Sequence, residues 1–273
     1  MSDAAAGPRR ILVPVDFSDA SAHALRLAVA LGDVFVSTVD ALHVWHTNTE
    51  TPVHVARERA RAELRSFIAS LGPSGGATLR RCIDHGDPFL TILRVAQLSS
   101  YDLLVGSAPH PGGGTREELG LALLRAARLP VLLVPSAWVE AHKQPELKRH
   151  VRRILLPAAH AGRAPRAGRC ALELAVALDA TLELAFVTDP RVSPEQERCE
   201  AELTKDASFS SRVERRRLEG SLEVALGRRA EEGGYDFVVL ADARGTVDQS
   251  TADPMLARLV SFQRCPTLCE RWD

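Results

Sequence analysis

Short runs of Val, Ile and Leu alternate along this chain with longer stretches whose apolar residues recur every three to four positions. The first run, Arg10-Ile-Leu-Val-Pro-Val-Asp16, is apolar at Ile11, Val13 and Val15 and suits a strand buried on both faces. A helix follows almost at once, with Ser18 or Asp19 as its cap and Leu25, Ala28, Val29 and Gly32 on one face. Thr38–Trp45 reads as a second strand, and a helix runs from about Val53 to Leu71 until Gly72-Pro-Ser-Gly-Gly76 breaks it. A third strand, Ala77–Ile83, enters the turn His85-Gly86-Asp87-Pro88, and a short helix carries Leu90, Leu93 and Ala96. Asp102–Val105 is a fourth strand ending at Gly106. A Pro/Gly loop through Gly114, a helix from Thr115 to about Ala127 and a strand Pro130–Val134 complete the series.

The series then repeats. Arg153-Ile-Leu-Leu-Pro157 echoes Arg10-Ile-Leu-Val-Pro14, and Leu172-Glu-Leu-Ala-Val-Ala-Leu178 echoes Leu25-Arg-Leu-Ala-Val-Ala-Leu31. A period near half the chain means two copies of one domain. The divisions are 1–137, a linker at 138–150, and 151–273. Further strands are expected at Leu182–Val187, Val213–Leu218, Phe237–Leu240 and Thr267–Glu270, and helices near 167–178, 194–207, 222–232 and 252–262. Strand–helix alternation predicts an α/β fold: two tandem doubly wound domains, each with a parallel sheet flanked by helices. A ligand crevice is expected beside the ends of strands one and four, where strand order reverses. The fifth strands, Val131–Val134 and Thr267–Glu270, are short and apolar, which predicts that they face each other in an internal pseudo-dimer.

Composition narrows the function classes. The 273 residues suffice for two self-sufficient cores, and the net charge of -1 offers no global field for nucleic acid or an anionic membrane. The absence of a long apolar run and of a signal-peptide core predicts a cytoplasmic protein. Five scattered cysteines, an odd number, fit reduced thiols better than a disulfide framework.

Taken in order, Ile11-Leu-Val-Pro-Val-Asp16-Phe-Ser18, Ala41-Leu-His-Val44, His85-Gly-Asp-Pro88, Tyr101-Asp-Leu-Leu-Val105 and Leu129-Pro-Val-Leu-Leu-Val134 resemble the universal stress protein family. Ile154-Leu-Leu-Pro157, Glu219-Gly220, Tyr235-Asp-Phe-Val-Val239 and Cys265-Pro-Thr-Leu268 extend the resemblance over the second copy. It implies five-stranded sheets of order 3-2-1-4-5, pairing through the last strands, a role in stress response or signalling, and ATP or AMP bound by some members. The implied cofactor-binding residues here are Pro14, Val15, Asp16, Val44, Gly86, Gly106, Gly113, Gly114 and Thr115.

This sequence departs from the family's glycine loop, G-x2-G-x9-G-[ST]. Pro109 stands three residues after Gly106, and counting back from Leu129-Pro130 puts Glu117 and Glu118 at the Gly-Ser positions. Gly112-Gly-Gly-Thr115-Arg-Glu-Glu118 offers either a rearranged phosphate cradle or a surface loop before a capping box. The second copy has Ala159 where the first has Asp16, and Arg163, Arg166 and Arg169 suit a solvated loop. His46, His85 and His110 fall near the same sheet edge without compact metal-ligand spacing. No nucleophile elbow, P-loop lysine or HExxH helix appears, so the balance is against an enzyme. Three functions stay open: a stress or signalling module with a weak adenine-nucleotide site in the first copy alone, an interaction scaffold that binds no nucleotide, and a weak ATP hydrolase.

Overall fold

A computed structural model of the chain describes residues 7–46, 51–72, 76–108, 115–142, 146–157, 165–188, 212–219, 234–242 and 265–271. The chain divides into two compact units, Pro8–Pro145 and Glu146–Asp273.

In the first unit the strands are β1 (Arg10–Pro14), β2 (Thr38–Trp45), β3 (Thr78–His85), β4 (Leu103–Ser107) and β5 (Val131–Val134). They form a parallel sheet of order β3-β2-β1-β4-β5, with Leu12 opposite Asp40 and Leu104 opposite Val131. The helices are α1 (Asp19–Phe35), α2 (Val53–Ser70), α3 (Pro88–Leu98), α4 (Thr115–Ala126) and α5 (Ser136–Ala141). Ile11, Leu12 and Val13 are fully buried, as a central strand covered on both faces requires.

Helix α1 starts as expected: Ser18 is its N-cap and accepts from the Ser21 amide. Its buried face is wider than the sequence stripe, taking in Ala24, Leu27 and Leu31, while Val29 is only half-buried. The packing of α1 on both β1 and β4 accounts for the width. Part of the stretch expected as linker is ordered. Helix α5 packs on α1 and buries Trp138 and Val139, apolar side chains that an exposed linker would leave in water.

The second unit holds the short helix α6 (Leu147–His150), then β6 (Arg153–Pro157), α7 (Pro165–Leu178), β7 (Thr181–Thr188), β8 (Val213–Glu219), β9 (Phe237–Asp242) and β10 (Thr267–Arg271). Its parallel strands lie in the order β8-β7-β6-β9-β10, equivalent to 3-2-1-4-5. The helices expected near 194–207, 222–232 and 252–262, together with Ala159, Arg163 and Cys199, lie outside the described residues. Cys82 and Cys170 are free thiols, and Cys265 and Cys269 are buried.

A feature that hydropathy did not reveal ties each sheet together at its N-terminal edge. Asp40, on β2, is only 1% exposed. Its carboxylate accepts from Arg10 of β1 at 2.9 Å and from the Tyr101 hydroxyl at 2.7 Å, and lies 3.3 Å from Arg80 of β3. Arg10 also stacks over the Tyr101 ring at 4.5 Å. Beside them, Asp102 accepts from the backbone N–H groups of Arg9 and Arg10. The second unit repeats the set: Glu183, again 1% exposed, meets Arg153, Arg216 and the Tyr235 hydroxyl, and Asp236 accepts from the amides of Arg152 and Arg153. One border strand of each sheet is charged, with Arg80 and Arg81 exposed on β3 and Arg215, Arg216 and Arg217 exposed on β8.

Breaking this cluster should be costly. Asp40→Asn replaces the charge-assisted bonds to Arg10 and Tyr101 by neutral ones and is expected to lower unfolding free energy by about 1–3 kcal/mol. Tyr101→Phe should cost about 1.5–3 kcal/mol, one hydrogen bond to a charged group. Burial, and then the bond to Asp40, raise the Tyr101 phenol above its ordinary value. The unfolded phenol ionises near pH 10 while the folded one keeps its proton, so this contribution is complete below that pH and declines above it. Denaturant unfolding between pH 7 and 11 should show a decline in the wild type that is shallower in Tyr101→Phe.

Gly120 of α4 supplies a second test. A Cβ there would lie 2.3 Å from the carbonyl oxygen of Ser107, a backbone atom that cannot step aside. Gly120→Ala is expected to destabilise by about 1–3 kcal/mol despite the better helix propensity of alanine, read from the urea midpoint.

Candidate functional site

At the C-terminal ends of β1 and β4, where the order of the first sheet reverses, the walls of β1, β2, α3 and α4 leave a cleft. The cleft is open to solvent and has a cavity volume of about 100 Å³. Apolar side chains supply most of the wall: Pro14, Val15, Leu42, Val44, Pro88, Ile92, Leu119 and Leu123. The polar groups are Asp16, Ser21, His43 and Ser107, with Gly106 and Gly120 between β4 and α4.

The turn after β1 is held from several sides. The Val15 amide donates to the Leu42 carbonyl at 2.8 Å, continuing the β1–β2 ladder one residue past β1. Asp16 Oδ1 accepts from the Ser18 amide at 3.0 Å and from the Ser18 hydroxyl at 2.5 Å. Ser18 Oγ in turn accepts from the Ser21 amide. Phe17 lies in the left-handed region at φ 66°, a conformation that costs a bulky residue about 1–3 kcal/mol and persists only where contacts over-determine it. The contacts are present: its ring stacks on His43 at 4.2 Å and meets Phe67 edge-on at 5.4 Å. His43 Nδ1 is 2.8 Å from the Val15 carbonyl oxygen. Sequence, turn and rings together fix an exposed carboxylate at the mouth of an apolar cleft.

Of the expected site residues, Pro14, Val15, Asp16, Val44 and Gly106 line this cleft. Gly86 does not. It sits in the turn after β3 at φ 133°, where its amide donates to the Trp45 carbonyl. Gly113, Gly114 and His110 lie outside the described residues, as do the side chains of Thr115, Glu117 and Glu118. His85 stacks on Trp45 at 4.7 Å, and among the described residues no group of three or more His, Cys, Asp or Glu side chains is placed to hold a metal ion. No helix among the described residues is long and apolar enough to cross a membrane.

Sequence reasoning missed Gly120, Ser107, Ser21, Ile92 and His43. A signal for Gly120 was present, because a glycine inside a helical run marks a close approach. His43 was masked by its place between Leu42 and Val44 in an apolar strand.

The universal stress protein family model matches residues 7–135. No curated protein matches the chain. Among solved structures, a universal stress protein from Archaeoglobus fulgidus DSM 4304 is similar with a TM-score of 0.71 at 15% identity, over 96% of each chain. A protein from Pseudomonas aeruginosa UCBPP-PA14 is similar with a TM-score of 0.63 at 18% identity, over 98% of this chain and 95% of that one. At these identities the structures speak for the fold. Residues 7–135 thus carry a universal stress protein domain, and the chain as a whole shares the fold of these structures.

Proposed function

We propose that this chain is a cytoplasmic, non-enzymatic stress-response or signalling module whose first unit binds an adenine nucleotide, ATP or AMP, weakly. The observation that carries this reading is the cleft itself: a carboxylate fixed at the switch point of a parallel sheet, at the mouth of apolar walls. Adenosine lies against Val15 and Val44, with Asp16 accepting from its hydroxyls.

Helix ends decide where the phosphates go. The N-terminus of α1 is already met by Asp16, which accepts the Ser18 amide, and that of α3 by Asp87, which accepts the Leu90 amide. Both therefore carry an internal anion and are poor phosphate sites. The start of α4, behind Gly113, Gly114 and Thr115, is the end to which phosphates turn, with about half a positive charge at its N-terminus. Glu117 and Glu118 fall in that first turn and oppose this field, which is why the binding is weak.

Calorimetric titration of the intact chain with ATP tests the reading. Asp16→Ala is expected to weaken binding about ten- to hundredfold, one charge-assisted contact, and so to erase a weak site. Glu117→Gly combined with Glu118→Ser should tighten it severalfold. Absence of heat from all three proteins would remove the nucleotide reading and leave an interaction scaffold.

A further inference from the structure

We propose that His43 and Phe17 are positioning residues for Asp16 and set nucleotide affinity from the face of the sheet opposite the cleft; this inference rests on the adenine-nucleotide reading above. Successive side chains of a strand point to opposite faces. Leu42 and Val44 of β2 line the cleft, and the ring of His43 between them turns the other way. It lies on Phe17 at 4.2 Å, and Phe17 meets Phe67 of α2 at 5.4 Å. Helix α2 packs on the face away from the α3 and α4 walls, because the crossovers before and after β3 run in opposite directions across the sheet.

From there His43 grips both neighbours of Asp16. Its Nδ1 stands 2.8 Å from the carbonyl oxygen of Val15, the residue before; a carbonyl oxygen only accepts, so Nδ1 donates. Its ring stacks on Phe17, the residue after. Phe17 is held at φ 66°, a left-handed conformation that a bulky residue leaves unless its surroundings enforce it.

That conformation decides where the next amide points. It belongs to Ser18 and donates to Asp16 Oδ1 at 3.0 Å, while the Ser18 hydroxyl donates to the same oxygen at 2.5 Å. Relaxing Phe17 to an ordinary φ would turn Ser18 away and release the Asp16 carboxylate, although no group in contact with the ligand had been removed. With the turn enforced, the carboxylate is ordered before the ligand arrives. With the turn loosened, affinity falls by the fraction of molecules that keep it.

Titration of the full-length chain with ATP, paired with amide hydrogen exchange, is the test. His43→Ala removes both ring and donor, and Phe17→Ala removes the stack. Each is expected to weaken ATP about tenfold, the turn then being kept in about a tenth of molecules. His43→Asn retains a donor for the Val15 carbonyl and His43→Phe retains a ring for the stack, so each should lose only about threefold. Phe17→Gly takes up the left-handed conformation without strain and should bind ATP more tightly than Phe17→Ala. The double variant His43→Ala with Phe17→Ala should be little worse than either alone, because both act through one turn. The Ser18 amide reports that turn directly. Its exchange should quicken in the order in which affinity falls, while the Leu12 amide at the sheet centre keeps its protection; general loosening of the fold would move both. ATP affinity unchanged in His43→Ala and Phe17→Ala, weakened affinity with Ser18 exchange unchanged, or Ser18 and Leu12 opening together would each overturn the positioning role and leave the nucleotide site standing. If His43→Ala does not fold, the Asn and Phe variants decide by the same two readouts. No heat with ATP from the wild type would overturn the site and the assignment together.

Discussion

The architecture of each unit depends on one buried carboxylate. Asp40 on β2 draws Arg10 from β1, Arg80 from β3 and the hydroxyl of Tyr101, just ahead of β4, onto a single side chain at the N-terminal edge of the sheet. A lone ionised group that far from water would cost several kcal/mol. With two guanidinium groups and a phenol around it, the same group fixes the lateral order of four neighbouring chain segments. Asp102 adds to this by accepting the amides of Arg9 and Arg10, which otherwise begin β1 without a ladder partner on that side. Glu183 performs the same task in the second unit, with Arg153, Arg216 and Tyr235 in matching places.

Tying the sheet at one edge leaves the other available for ligand chemistry. The C-terminal edge of the first sheet is built differently. Asp16 is exposed, Phe17 sits in a strained conformation, and His43 Nδ1 meets the Val15 carbonyl. Strain is tolerated there because the fold's order is already decided elsewhere. The close packing of Gly120 on the Ser107 carbonyl belongs to the same edge. It brings α4 against the end of β4 and closes the cleft on that side.

The alternation of strands and helices was legible in the sequence because parallel strands buried on both faces write continuous apolar runs, as in Ile11–Val13 and Val131–Val134. The position of the cleft followed from topology and from Asp16 alone. What hydropathy could not show was the ionic cluster: Asp40 and Glu183 look like isolated polar residues in apolar strands until the fold brings arginines from neighbouring strands beside them. Helix α5 was hidden for a different reason. Six residues, Ser136–Ala141, are too few to display a period, and their helicity depends on burying Trp138 and Val139 against α1. Gly86, singled out on the resemblance, serves a turn: its φ of 133° is a backbone need that glycine meets.

The arginines along β3 and β8 bear on how copies of this protein behave in concentrated solution. An outermost strand exposes unpaired amides and carbonyls, and two such strands from different molecules can zip into a continuous ribbon. Here the approach of one border to its equivalent would bring guanidinium groups together, Arg81 on β3 or Arg215 and Arg217 on β8, Arg80 and Arg216 being paired already with Asp40 and Glu183. Repulsion of that kind acts before any hydrogen bond forms, so it keeps the molecules dispersed without altering either sheet. It is also an ionic safeguard, strongest in dilute buffer and worn down as salt shortens the reach of the charges. The colloidal margin set by this border is thus narrowest in concentrated salt.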